Sequence, residues 1–174
     1  MKSRNLLLIF FLALAGINLN GQSALDQFFS QHQNDTAFTV VNISPKMFQM
    51  LARIDTEDPE SQEVMDLIKG ITGLRILAKD KGDGTKLYNE AFSKISNNGF
   101  EELLTVRDGG ENVRFMVREG KTPDIINQLV LLVGGSDDFV LMDLTGVLNL
   151  KTIGKLSKSI DVPGVKHLEK LEEH

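Results

Sequence analysis

The chain contains no cysteine among its 174 residues. This absence excludes disulfide bonds, metal sites built on thiolates and a cysteine nucleophile. A bacterial lipoprotein carries its lipid on a cysteine directly after the signal sequence, so we also expect no lipid anchor. The stability of the folded protein has to come from the packing of its core.

Histidines are few and poorly placed for metal binding. His32, His167 and His174 lie near the two ends of the chain, and none has a histidine partner four residues away. Zinc sites need several ligands close together, so we expect neither a metal site nor a cofactor. His32 is interpreted as a packing residue on the apolar edge of a helix.

Two glycine-containing segments partly match ligand-binding motifs. Gly120-Lys121-Thr122 is similar to the end of a phosphate-binding loop, but Phe115 stands where that loop begins with glycine, and Pro123 lacks a backbone donor. The segment from Asp80 to Gly84 offers one of the oxygen ligands that a calcium loop requires. We interpret the first segment as a surface loop and the second as a turn.

Adjacent acidic residues do not form a predicted catalytic pair. Glu101 and Glu102 lie in a predicted strand, where neighbouring side chains point to opposite faces. The pairs Asp137-Asp138 and Glu172-Glu173 are assigned to a turn and to a solvated tail. The hydrolase motif Gly-x-Ser-x-Gly is also missing. We therefore predict no catalytic residue, no cofactor-binding residue and no metal ligand.

The N-terminus has the pattern of a secretory signal peptide. Lys2 and Arg4 precede an apolar run over residues 6–17 that is too short to span a bilayer, and a polar stretch follows. We expect cleavage after Gly21, with cleavage near Ala15 as the alternative. Cleavage after Gly21 leaves residues 22–174 as a single domain, periplasmic or secreted, without a transmembrane segment. Loss of Lys2 and Arg4 changes the formal net charge from −5 to −7. So acidic a chain is not expected to bind nucleic acid.

Hydrophobic periodicity divides the mature chain into helices and strands. Helices are predicted over residues 24–33, from Pro45, over residues 59–70, after the turn at 81–84, over 149–160 and in a short tail. Strands are predicted over residues 38–43, 74–79, 101–108, 112–119, 127–133 and 139–144. The helix from Pro45 is expected to bury Met47, Phe48, Leu51 and Ile54.

This order of elements predicts an α+β fold. Helices and strands alternate early and strands cluster late, which favours a two-layer sandwich. We expect a mixed, mainly antiparallel sheet of about six strands with the helices packed on one face. The strand at residues 38–43 is expected to run parallel to its sheet partner, because helices connect the two.

A tight turn at Gly109-Gly110 predicts a β-hairpin with a defined register. It places Leu104 opposite Phe115 and Val106 opposite Val113, and we take this face as the core side.

The other face of the hairpin carries a basic stripe of Arg107, Arg114 and Arg118. The predicted register also places Glu101 opposite Arg118. We favour cross-strand charge pairing over an anion-binding site as the role of this stripe.

The segments Leu129–Val133 and Phe139–Met142 are apolar on both faces. Such strands need cover on both sides. The second face is either closed by a terminal helix or forms a contact surface for another envelope protein or a second copy of the chain.

Three segments carry a family pattern. They are a strand that runs into a helix over residues 39–48, a strand that ends in glycine over residues 140–146, and the turn Val162-Pro-Gly-Val165 before a final helix. This pattern resembles the domain of unknown function 4252 family, over about residues 24–171. The resemblance implies a small bacterial protein that is exported or lipid-anchored, and it transfers no catalytic residue. Many members look like lipoproteins with a cysteine at the mature start, where this chain has Gln22 or Ser23.

These observations predict a non-catalytic, exported binding or interaction module of the bacterial cell envelope. The alternatives are a periplasmic enzyme whose site is not visible in the sequence, and a structural component of the envelope. The residues of the binding surface stay unknown at this point, although apolar strand surface is the leading candidate for contact with a partner.

Overall fold

The computed structural model describes residues 23–54 and 59–150. The described elements, in chain order, are α1 (Ala24–His32), β1 (Thr39–Ile43), α2 (Pro45–Leu51), α3 (Pro59–Gly70), β2 (Ile71–Lys79), α4 (Gly84–Ser96), β3 (Glu101–Asp108), β4 (Glu111–Glu119), β5 (Ile125–Gly134) and β6 (Phe139–Asn149). The predicted signal peptide, the helix at 149–160 beyond residue 150 and the tail helix lie outside the described residues. No helix within the described ranges is long and apolar enough to cross a membrane.

The six strands form one sheet in the order β1-β2-β6-β5-β4-β3. All five neighbouring pairs are antiparallel. The predicted α+β class and the predicted number of strands are therefore confirmed.

The predicted parallel pairing of β1 is wrong. β1 runs antiparallel to β2, with Val41 opposite Ile76. A single crossover helix returns the chain along the strand and leads to a parallel neighbour. Here two helices, α2 and α3, connect the strands and contact each other. The chain therefore goes out and back, and β2 begins at the end of the sheet where β1 finishes.

Helices α1 and α4 pack on one face of the sheet and close the first core cluster. The helical spacing of Leu25, Phe28 and Phe29 places all three buried side chains of α1 on this face. They join apolar residues of α4 and of the central strands, namely Leu87, Tyr88, Ala91, Ile95, Leu77, Val130, Leu132, Phe139 and Leu141. The side chain of Ser23 caps α1 by accepting a hydrogen bond from Asp26 N at 3.0 Å.

The opposite face of the sheet holds a second buried cluster. Its members include Val113, Phe115, Val117, Leu129 and Leu131. Both faces of β5 are thus buried. The segment is apolar on both sides because both sides belong to the core. The terminal helix predicted over residues 149–160 lies almost wholly outside the described residues, and its predicted first residue, Asn149, belongs to β6.

The β3–β4 hairpin confirms the predicted turn and part of the predicted register. Gly109 and Gly110 have φ values of 57° and 91°. Leu104 lies opposite Phe115, as predicted, and Val106 lies opposite Val113.

The far end of this hairpin departs from the prediction. The pairing shifts between Glu102 and Leu104, so Glu101 lies opposite Val117 and not opposite Arg118. The predicted Glu101–Arg118 pair is therefore wrong. The reason is a β-bulge, which inserts one extra residue into one strand and moves every later pair by one position.

Helix α2 buries less of its surface than its periodicity predicts. Phe48 is its one buried residue, whereas Met47 and the nearby Ile54 are exposed. Among the described elements, α2 makes its main contacts with α3 and β2. A helix at the margin of a sheet has neighbours on one side, so half of its predicted apolar face stays uncovered.

Candidate functional site

Exposed apolar side chains concentrate in one short stretch of the described chain. The exposed large hydrophobic residues are Val40 (41%), Val41 (36%), Met47 (47%), Met50 (56%), Ile54 (54%) and Val147 (64%). All except Val147 fall between residues 40 and 54. We call the first five residues together the β1–α2 surface. Together with Val147, it accounts for the large apolar side chains that the described residues leave exposed.

Strand β1 supplies the backbone edge of this surface. It is the outermost strand of the described sheet, and residues 39–42 are exposed. Its sequence, Thr-Val-Val-Asn-Ile, contains no charged residue and no proline, and its pairing with β2 has no register shift. Edge strands are normally protected from further pairing by charges, prolines or bulges. β1 has none of these three protections.

The other edge of the sheet is protected in the usual way. Strand β3 carries Glu101, Glu102, Arg107 and Asp108, all of them exposed. It also contains the β-bulge next to Glu102. Because both devices discourage strand addition, the two edges of the same sheet differ in their capacity to pair.

Arg75 ties the β1 side of the sheet to the core. Its guanidinium donates to Asp143 Oδ2 from Nη2 at 2.5 Å and from Nε at 3.1 Å. A third nitrogen, Nη1, lies 2.8 Å from Asp26 Oδ1 on α1. The guanidinium carbon also lies 4.3 Å from the ring centroid of Phe29. One side chain of β2 thereby joins β6 and α1, and it holds the neighbours of β1 in place.

Asp143 is the one buried charged residue of the described chain, at 1% exposure. Its second oxygen accepts a hydrogen bond from Gln128 Nε2 at 2.6 Å. A buried carboxylate is tolerated when it is paired and hydrogen-bonded. Arg75 and Gln128 meet this requirement from the two strands on either side of β6.

The pKa values of the partners follow this geometry. Burial opposes ionisation of Asp26, but hydrogen bonds from Ser23 and the ion pair with Arg75 outweigh it and hold the pKa of Asp26 below its ordinary value of 3.8. Burial likewise opposes the charge on Arg75, and the two carboxylates still keep the pKa of Arg75 above its ordinary value. Both groups are therefore charged at neutral pH.

A cleft of about 240 Å3 lies between α1 and β1. Its lining includes Asp26, Phe29, Gln33, Asn42 and Arg75. The one guanidinium in the cleft is balanced by Asp26 and Asp143, so the cleft does not attract anions. It is a polar recess beside the apolar edge of β1.

The predicted basic stripe is a set of structural contacts. Arg114 donates to the hydroxyl of Tyr88 at 2.6 Å, forms an ion pair with Glu102 and lies 4.1 Å above the ring of Phe92. The pairing of Arg114 with Glu102 confirms the predicted type of interaction, although with a different partner from the one predicted.

Arg118 makes the same kind of contact further along the strand. Its guanidinium lies 4.5 Å above the ring of Phe100 and donates to the carbonyl of Asn98 at 2.9 Å. Arg107 is exposed near the hairpin turn. The stripe therefore does not form a converging cationic site.

The other residues that the sequence analysis considered have packing or loop roles in the described part of the chain. His32 stacks between Phe28 and Phe38, with ring centroids 4.6 and 4.8 Å away, which confirms its predicted packing role. Gly120 donates its N–H to Ile125 O at 2.8 Å in the turn between β4 and β5, so Gly120–Thr122 is a hairpin loop as predicted. His167 and His174 lie outside the described residues.

The acidic pairs are separated as predicted. Glu101 and Glu102 lie opposite Val117 and Met116, which belong to different core clusters on different faces. Asp137 and Asp138 lie in the β5–β6 turn and line a surface recess with the β3–β4 turn. Within the described ranges no group of three acidic or histidine side chains could hold a metal ion.

Sequence reasoning missed the Arg75–Asp143 pair and the exposure of β1. A signal for the pair is present, because Asp143 interrupts the apolar run from Phe139 to Leu144 and a buried acid requires a partner. The partner could not be chosen without knowing that β2 lies next to β6. The edge position of β1 likewise depends on the strand order.

Comparison with known proteins places the chain in one family. A search of curated proteins and a search of solved structures both found no match. Residues 29–156 match the family described as domain of unknown function DUF4252. This range runs from within α1 to beyond β6, so it contains the β1–α2 surface, the second core cluster, and the first core cluster apart from Leu25 and Phe28. It confirms the resemblance seen in the sequence. The chain belongs to the DUF4252 family.

Proposed function

We propose that the protein is a non-catalytic interaction module that is exported to the bacterial cell envelope, and that the β1–α2 surface is where it contacts a protein partner. The observation that carries this proposal is the concentration of five exposed large apolar side chains between residues 40 and 54. Exposed apolar side chains that lie close together in the chain favour a protein contact site. The acidic charge of the chain favours a protein partner over nucleic acid.

The sheet face that the sequence offered either as core or as a contact surface is buried. Leu129 and Leu131 are 5% and 7% exposed, so they are part of the core. The surface available for contact lies at the edge of the sheet, on β1 and α2. This position supports recognition of a partner through both backbone and side chains.

An enzyme is the competing class, and the cleft beside β1 is a recess of the described residues that contains a paired acid and base. Its ionised groups are Asp26 and Arg75, which pair with each other, and Arg75 pairs with Asp143 as well. A general acid or base needs a pKa close to the working pH. The lowered pKa of Asp26 moves this group away from that range and favours the binding module.

The proposal is tested by photocrosslinking in intact cells. A photoreactive amino acid replaces Met47 or Met50 in the full-length protein, and Lys86, an exposed position on α4, serves as the control. We expect a discrete crosslinked species from the two methionine positions and none from position 86. Identical patterns at all three positions, or no crosslinked species at any of them, would contradict the proposed surface.

A further inference from the structure

We infer that the partner of the β1–α2 surface is a second copy of this chain, and that the two copies join by antiparallel pairing of β1 with β1. This inference rests on the proposed function, because it names the partner for the same surface. The pairing extends the six-stranded sheet of each copy into one continuous sheet across a two-fold axis.

The difference between the two sheet edges is the first argument. β1 has an exposed backbone, no charge, no proline and no bulge, whereas β3 carries four exposed charged side chains and a bulge. A sheet whose two edges served no contact would be expected to protect both. Here β3 carries charges and a bulge, whereas β1 is limited only by its length of five residues, so β1 is the edge more open to strand addition.

The symmetry of β1 is the second argument. A two-fold axis through Val41 places Val41 opposite Val41 of the second copy, Val40 opposite Asn42, and Thr39 opposite Ile43. Such an interface must be complementary to itself. No like charges meet across this seam, because the strand has no charged side chain.

The same operation on β3 brings charges together across the seam. An antiparallel pairing centred between Leu104 and Thr105 places Glu101 of each copy opposite Asp108 of the other, and Glu102 opposite Arg107. Like charges directly opposite each other destabilise a strand pair and opposite charges stabilise it. A β3 seam would therefore contain both repulsive and attractive pairs, whereas a β1 seam contains no charged pair.

The position of α2 enlarges the contact. α2 follows directly after Ile43, and antiparallel pairing places Ile43 of one copy beside Thr39 of the other. The exposed side chains of Met47 and Met50 therefore lie near both ends of the seam.

A five-residue strand is only about 17 Å long, and standard interfaces bury about 800 Å2 per partner. The methionines are needed to approach that area, and we expect a dissociation constant on the order of micromolar.

Sedimentation velocity of the exported protein tests the inference. Over a concentration series from about 1 to about 100 µM, we expect the wild type to change from monomer to dimer. Val41→Lys places two cations on the two-fold axis and should remain monomeric throughout the series. Val147→Lys is the matched control, because it introduces the same charge at an exposed valine of β6, which β2 separates from β1, and it should dimerise like the wild type.

Charge reversal tests the register directly. Val41→Asp alone should also be monomeric, but an equimolar mixture of Val41→Asp and Val41→Lys should dimerise because opposite charges then face each other on the axis. Far-ultraviolet circular dichroism verifies that each variant is folded.

Because the chain has no cysteine, an introduced cysteine provides a second test of the pairing that does not depend on a charged variant. Directly opposite strand residues have Cβ atoms about 4.5–5.5 Å apart, which is close to the separation that a disulfide requires. Mild oxidation should therefore link Val41→Cys into a covalent dimer faster than it links Val147→Cys. Equal rates for the two variants would overturn the pairing.

The outcomes separate this inference from the proposed function. A wild type that stays monomeric, or a dimer that Val41→Lys does not weaken, overturns the second copy as partner at this edge. If Met47 and Met50 then crosslink to a different envelope protein, the interaction module stands with another partner. If no crosslink forms either, both proposals fail.

Discussion

At the scale of single residues, Asp143 has the largest predicted effect on stability. It is 1% exposed and is held by Arg75 and Gln128. Asp143→Ala leaves the guanidinium of Arg75 without its closest partner and the amide of Gln128 without its acceptor. Removing one member of a buried pair costs several kcal/mol, but Arg75 is 29% exposed, so we expect the free energy of unfolding to fall by about 3 kcal/mol. Urea unfolding measures this change.

A surface ion pair provides the control for Asp143. Asp66 pairs with Lys69 on α3, with exposed fractions of 70% and 56%. Asp66→Ala is expected to lower the free energy of unfolding by about 0.5 kcal/mol or less, because solvent screens exposed charges. Equal losses for the two variants would show that the buried network is not a major source of stability.

Asp26 gives the protein a predicted dependence on acid. Its pKa is lower in the folded protein than its ordinary value of 3.8. A carboxyl group with a lowered folded pKa contributes stability that is complete above the unfolded pKa and is lost as the pH falls through the folded value. In Asp26→Asn this contribution is absent. The difference in unfolding free energy between wild type and Asp26→Asn should therefore be largest at neutral pH and should shrink below about pH 4.

This pH dependence is measured by urea unfolding of both proteins from neutral pH to about pH 3. Asp66→Asn serves as the control, because Asp66 is an exposed aspartate on α3. A difference between wild type and Asp26→Asn that is constant over the whole range would contradict the linkage of Asp26 to Arg75.

At the scale of elements, the β3–β4 turn depends on glycine at a particular backbone conformation. Gly110 has a φ of 91°, and a Cβ there would meet no atom within 4 Å, so a side chain has room but the backbone does not suit it. Gly110→Ala is therefore expected to lower the free energy of unfolding by about 1 kcal/mol. Thermal or urea unfolding tests this value.

A substitution at a second glycine is a control that distinguishes the effect of backbone strain from the effect of lost backbone flexibility. Gly135 lies in the β5–β6 turn, has no positive φ, and has 3.9 Å to the nearest atom from a built Cβ. Gly135→Ala is expected to leave stability unchanged or to raise it slightly, because a compatible alanine restricts the unfolded chain. A similar loss in both variants would mean that φ is not the reason for the effect at Gly110.

Element boundaries could largely be predicted because they depend on local patterns. The strand at Glu101–Asp108 and the helix with Leu87, Tyr88 and Ala91 inward follow from the change of hydrophobic period between them. The bulge next to Glu102 could not be predicted from the sequence. The position of the unpaired residue depends on the register of β4, and that register also depends on how β4 pairs on its other side. The exposure of Met47 on α2 was missed for a related reason: periodicity identifies an apolar face and does not identify what covers it.

At the scale of the whole molecule, processing should leave a chain that begins at Gln22. The basic residues Lys2 and Arg4 and the apolar run at residues 6–17 are the parts of an export signal. We expect the intact mass of the protein recovered from the envelope fraction to equal that of residues 22–174, and we expect extraction without detergent. A retained N-terminus, or extraction that requires detergent, would contradict this prediction.

The sequence by itself determined the α+β class, the position of each described strand, the Gly109-Gly110 hairpin and the chemistry that the absence of cysteine excludes. These features arise from side-chain period, turn residues and composition, which act over a few neighbouring residues. Only the tertiary structure decided that β1 is antiparallel to β2, that Arg75 meets Asp143, and that most of the large exposed apolar residues lie between Val40 and Ile54. Those outcomes depend on which strands become neighbours. Neighbour choice is set by burial and pairing between residues far apart in the chain, so the edge of β1 became visible only after the whole sheet was assembled.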